Sequence, residues 1–227
     1  MGRFLDMDSP LMRVLNRVGD LMILNFIMII CCIPVITAGA AFTGLHYVLL
    51  KIVRDREGYL VRGFFKSFVQ NFRQATIQWL LMLLVIAVYV GDILIFNYSG
   101  MVFPKPVIVA VLAVAIILLM AAIYVFPLQA RFENPIKNTL KNALILSLVN
   151  LPKTILMLVL YALPLVLCYF SGYAFLFVIL FGISAPAYGA AWLYSGVFKK
   201  LEPETEEIAD DMSFSLQLDE GNEEADG

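Results

Sequence analysis

The chain has 227 residues, of which 61% are hydrophobic and 15% charged, with a mean hydropathy of +0.86. Soluble domains run at about 45–50% apolar and about 25% charged, so this composition excludes an ordinary water-soluble globule and calls for lipid as the solvent. The net charge of −2 hides an asymmetry: residues 201–227 hold eleven acids and no Lys or Arg, leaving sixteen bases and seven acids in residues 1–200.

At the start, Asp6, Asp8 and Pro10 precede any apolar run, so no signal peptide is expected. Ser9-Pro10 reads as a helix cap followed by proline in the first turn. Leu11, Leu15 and Val18 share a face opposite Arg13 and Arg17, which predicts a short amphipathic helix on the membrane surface. A bilayer core needs about 20 apolar residues, with a lower limit near 17. Residues 19–35 make the first candidate span, Pro34 favours a break, and 37–53 make a second at the short limit. Residues 54–73 predict a basic interfacial helix, 76–96 the third span, and 97–106 a turn closed by Pro104-Lys105-Pro106. The fourth span is 107–126, a second basic amphipathic stretch covers 131–150, and the fifth and sixth spans are 153–170 and 173–198. The acidic segment 201–227 has no apolar period and is expected to be a disordered tail. The fold class expected is therefore an all-α polytopic bundle in one domain, 1–200, with cytoplasmic interfacial helices.

Cytoplasmic loops collect Lys and Arg. Six spans with both termini in the cytoplasm put fifteen of the sixteen bases inside, with Lys105 alone outside. Merging the first two spans puts ten outside, so six is preferred. One rival survives: residues 19–53 as a re-entrant hairpin, which leaves every loop on the same side. An internal echo also links 67–77 with 147–155, a basic helix leading into a span in both places.

Ionisable and polar groups inside a bilayer are costly, so each is a functional candidate. Asn25, His46 and Asp92 are the intramembrane candidates. Local hydrogen bonding is the expected role of the solitary histidine, and snorkelling or a helix–helix bond that of Asp92. Cys31, Cys32 and Cys168 have no metal-ligand spacing; inert buried thiols are expected, with a Cys32–Cys168 disulfide as the alternative. Ala40 with Gly44, and Ala185 with Gly189, have the small-xxx-small spacing of close helix packing. Phe64, Phe65, Lys66, Phe68 and Arg73 combine aromatics with bases, the pattern of an interfacial anchor or a docking face. No catalytic constellation, metal set or phosphate loop is evident, so neither an enzyme nor a cofactor is expected.

Several stretches resemble the YesL-like bacterial membrane proteins, a family of unknown function. They are Asn16-Arg17, Asp20-Leu21, Asn25, the run Cys31-Cys32-Ile33-Pro34-Val35-Ile36-Thr37-Ala38-Gly39-Ala40, then Tyr47 and Leu49-Leu50. Phe64-Phe65-Lys66-Ser67-Phe68 and Asn71-Phe72-Arg73-Gln74-Ala75-Thr76 continue the likeness, which is strongest over residues 4–90. The resemblance implies a multi-pass cell-membrane protein encoded near carbohydrate importers of the ATP-binding cassette (ABC) type. It implies no reaction and no catalytic residue. Together these readings predict an accessory or regulatory partner of a carbohydrate ABC importer, with a small-solute transporter or channel as the alternative. The expected partners are the lipid bilayer and importer subunits, not nucleic acid, and a homo-oligomer stays open.

Overall fold

The computed structural model describes residues 10–54, 59–99, 104–170 and 172–202, and these are almost wholly helical. The expected disordered tail beyond Glu202, and the Ser9 cap, lie outside the described residues. Eight α-helices follow in order: α1 (Pro10–Cys32), α2 (Ala38–Val53), α3 (Leu60–Ser99), α4 (Lys105–Arg131), α5 (Ile136–Val149), α6 (Leu151–Phe170), α7 (Ala174–Phe181) and α8 (Ser184–Phe198). Five of the helices are long and apolar enough to cross a membrane, and α7 with α8 adds a sixth if that bent pair is one span. The chain is thus an all-α polytopic membrane bundle.

Several boundaries differ from expectation for reasons of backbone chemistry. The surface helix expected before the first span is continuous with it in α1, because no proline interrupts residues 11–32. Likewise the basic segment and the third span form one helix of 40 residues, α3. The second basic segment does break, at Asn150, where Pro152 follows at the second position of α6. Proline gives no backbone N–H to a preceding turn, so it starts helices and ends those before it. The sequence echo between the two segments therefore does not extend to their shapes.

The expected sixth span is two helices, bent by 52° between Phe181 and Ser184. Pro186 accounts for the site of the bend: it has no N–H for the carbonyl of Gly182, and its ring crowds that turn. Pro34 ends the first helix as expected, through a single 3-10 turn at Val35–Thr37.

Packing is concentrated at one end of the molecule, the end that carries Arg54, Arg131 and Glu202. Its centre is α2, most of whose residues are buried against α1, α3, α4 and α8. Glycine allows the closest approach. A Cβ on Gly39 would lie 2.5 Å from the Ala75 carbonyl oxygen and 2.6 Å from Trp79 Cβ, and one on Gly44 would lie 2.9 Å from the Phe64 carbonyl. Phe42, Trp79 and Phe126 then close a ring cluster between α2, α3 and α4, with centroids 5.7–6.1 Å apart. At the opposite end the outer parts of α3, α4 and α6 splay. Residues 105–119 of α4 are exposed on every face except at Ala115. This apolar surface suits the acyl chains of a bilayer.

Candidate functional site

Among the described residues, the polar groups buried in the packed end include four sets, and the sequence candidates fall among them unevenly. Asn25 is fully buried on α1 and serves the α7–α8 bend. Its Oδ1 accepts the backbone N–H groups of Ile183 (2.9 Å) and Ser184 (3.0 Å), while its Nδ2 donates to the Ile179 carbonyl (2.6 Å). A helix broken at membrane depth exposes backbone groups that lipid cannot satisfy, so some neighbour must. One side chain does this for both sides of the break. Its carboxamide is suited to the task because it offers an acceptor and donors together.

His46, on α2, is also buried and is held at both ring nitrogens: Nδ1 lies 3.1 Å from the Tyr194 hydroxyl of α8, and Nε2 lies 3.4 Å from the Tyr161 hydroxyl of α6. A neutral imidazole has one donor and one acceptor nitrogen, and a hydroxyl can meet either. The triad therefore joins three helices through one buried imidazole.

The third set is a chain of amides between α3 and α4. Gln78 Nε2 donates to Gln129 Oε1 (3.1 Å), and Gln129 Nε2 donates to Asn71 Oδ1 (3.0 Å). Asn71 in turn donates to the Ser67 carbonyl (3.1 Å), and Gln74 Nε2 donates to the Asn134 carbonyl before α5. A further buried contact pairs the Tyr124 hydroxyl of α4 with Thr154 of α6 at 3.2 Å.

The fourth set is ionic. Arg54, just past α2, grips Glu202 with both terminal nitrogens at 2.8 Å, and Arg131 at the end of α4 adds its Nε at 2.8 Å. The side chains of Arg54 and Glu202 keep 5% and 2% of their exposure. Burial pushes the Glu202 carboxyl up, but the hydrogen bonds and positive charge of the two arginines outweigh it, and the group ionises below the ordinary carboxylate range. Glu202 is held in place by its own N–H, which donates to the Phe198 carbonyl at 3.0 Å. Of the expected free acidic tail, 201–227, the first acid is thus docked.

Asp92 stands apart, exposed on the splayed part of α3. Asn25, His46 and Asp92 therefore do not converge. The aromatic–basic patch divides too: Phe64 is fully buried beneath Gly44, Phe68 is half-buried, and Phe65, Lys66 and Arg73 are exposed. The helical period explains this, since Phe64 and Phe68 turn toward α2 while their neighbours turn away. The face available for docking is thus smaller than the five residues suggest. Of the small-residue pairs, Gly44 meets Phe64 and Gly189 meets Leu160 of α6, so both serve packing within the chain. The three cysteines are free thiols and only half-buried, which replaces both the disulfide alternative and the expectation of full burial.

Sequence reading missed Tyr161, Tyr194, the amide chain and the ionic clamp. Gln78 and Gln129 carried a signal, as amides at the edges of apolar runs. The clamp carried none, because its partners are 148 and 71 residues apart and were assigned to separate loops and tail.

The profile of a family described as "Protein of unknown function, DUF624" matches residues 21–93, a region from α1 to the outer part of α3. That segment holds Asn25, His46, Gly39, Gly44 and the α3 side of the amide chain. No curated protein and no solved structure matches the chain.

Proposed function

We propose that the chain is a non-catalytic accessory subunit of a larger membrane assembly, and that its splayed α3–α4 hairpin is where partner helices sit. The supporting observation is the exposure of residues 105–119 of α4 on nearly every face, beside an outer α3 whose described residues are mostly exposed. Helices in lipid associate through close packing and interhelical hydrogen bonds rather than through apolarity, so a hairpin left bare can lie in lipid or accept a partner's helices. The resemblance to YesL-like proteins supports membrane subunits of a carbohydrate ABC importer as that partner, with the exposed Phe65, Lys66 and Arg73 as a second contact at the opposite end.

The rival reading, a transporter in its own right, draws on the α7–α8 bend, since transporters place substrates at broken helices. Here the backbone groups at the bend are taken by Asn25, and His46 is closed between two tyrosines. Both features favour a structural role for these residues.

Affinity purification in a mild detergent, with a photo-crosslinking residue at Leu112 or Val88, tests the proposal. The expected outcome is crosslinking to importer membrane subunits and a change in sugar uptake on deletion. Recovery of the chain alone, with unchanged uptake, counts against it, and solute flux in liposomes containing only this protein would favour the rival.

A further inference from the structure

We propose that the acidic segment after Glu202 seats on the exposed face at the start of α3, where a basic and an apolar stripe lie side by side, with Glu202 in its clamp as the anchor.

The face follows from the helical period. Val61, Phe65, Val69 and Phe72 recur at spacings that keep them on one side of α3, and they are 45%, 43%, 70% and 37% exposed. Arg62, Lys66 and Arg73, each one residue further on, form a second exposed stripe beside the first. Among the described residues no ion pair reaches these three bases. An apolar strip bordered by charge marks a contact surface. Lipid fits it poorly. α3 is one helix of 40 residues, about 60 Å, twice a bilayer core of about 30 Å, and its bases all fall between Arg62 and Arg73. The basic end is therefore the one carried past the acyl chains. The apolar stripe runs about 17 Å along that end, more than the roughly 5–8 Å of headgroups on each side.

The chain itself supplies the complement. Of the eleven acids in residues 201–227 one is Glu202, which leaves ten from residue 203 onward, with no Lys or Arg among them. Met212, Phe214, Leu216 and Leu218 lie close together, between Asp210-Asp211 and Asp219-Glu220. Apolar groups bracketed by acids match apolar groups bordered by bases. The anchor is near enough. Arg54, just past α2, and Arg131 hold the Glu202 carboxylate at 2.8 Å. A Cβ on Gly63 of α3 would lie 3.7 Å from Val48, which is about 9 Å before Arg54 along α2. Residues 203–211 span up to about 30 Å when extended, enough to pass around a helix about 10 Å across. So short a tether presents its load at roughly millimolar concentration, and modest charge attraction then suffices. The consequence, though not the contact, rests on the assembly proposed above: a partner that uses Phe65, Lys66 and Arg73 must first displace the segment.

The test places a photo-crosslinking phenylalanine at Phe65 or Val69 in the full chain, reconstituted alone in bilayers of phosphatidylcholine or of phosphatidylglycerol. Crosslinked peptides are identified by mass, and mixing isotope-labelled with unlabelled chains separates contacts within a chain from contacts between copies. The expected result is crosslinking to residues 203–227 of the same chain in both lipids. It should fall at least about fivefold in roughly 1 M salt, where screening acts over about 3 Å. Arg62→Glu, Lys66→Glu and Arg73→Glu together should lower it similarly, and adding Asp210→Lys, Asp211→Lys, Asp219→Lys and Glu220→Lys should restore it. Crosslinks to lipid alone, or to a second copy, overturn the proposal, as does tail crosslinking that ignores both salt and charge reversal. Should the multiply substituted chains fail to accumulate, the native chain with its single crosslinker and the salt series decide the question. No partner is present in this experiment, so its outcome is independent of the crosslinking at Leu112 or Val88 that tests the assembly.

Discussion

The two parts of α4 differ sharply in surroundings although both are apolar. Residues 107–119 contain no polar side chain and no glycine and are almost all exposed, whereas Met120, Ala121 and the six residues from Tyr124 to Gln129 are buried. In water the first part would be the one driven inside. In lipid, apolarity gives no preference between a neighbouring helix and an acyl chain, so helices meet where they can exchange hydrogen bonds or approach closely. The buried part supplies both: Gln129 reaches Gln78 and Asn71, Tyr124 reaches Thr154, and Phe126 fits the cluster beside Gly39.

If close approach and polar bonding hold the packed end, its glycine at the tightest crossing should be the most sensitive position. Gly39→Leu must displace the Ala75 backbone and should cost about 3 kcal/mol, read as a fall in thermal stability in detergent. Gly91→Leu, where a Cβ meets nothing within 4 Å, should stay within about 0.5 kcal/mol. Equal losses at the two positions would erase the distinction between the ends. Next, Asn25→Leu keeps the volume but strips the α7–α8 bend of its three bonds. Stability should fall by about 2–3 kcal/mol, with hydrogen exchange rising at Ile183 and Ser184.

Glu202→Gln should cost about 2–3 kcal/mol near neutral pH by replacing the carboxylate that both arginines share with a neutral amide. Its sign with pH follows from the lowered folded-state ionisation. The stabilisation is present above the ordinary carboxylate range and is lost as the pH falls through the lower folded value. Acid titration of unfolding should therefore show a loss in the native chain that Glu202→Gln lacks. The smallest effect belongs to the splayed end: Asp92→Asn, on an exposed position, should change stability by less than about 0.5 kcal/mol. A large loss there would reveal a buried role for Asp92 in an assembly, and so sharpen the comparison toward the partner.

Much of the helix inventory was legible because hydrophobic length and proline position are local properties. The break at Pro34, the single-residue gap before α6 and the apolar bodies of α3, α4 and α6 all follow from residues close in the chain. Helix continuity through residues 60–99 was misread, since a change from basic to apolar composition resembles a boundary while the backbone hydrogen bonds need none. The candidate residues were found by type but not by role: Asn25 and His46 were conspicuous as polar groups in apolar runs, yet their partners lie 115 to 159 residues away. Sequence alone thus determined that this chain lives in lipid, as helices, because every unpaired peptide group there must bond within its own segment. Only the tertiary structure decided which polar groups meet, which end packs and where the acidic segment first docks, because those choices depend on side chains brought together from opposite ends of the chain.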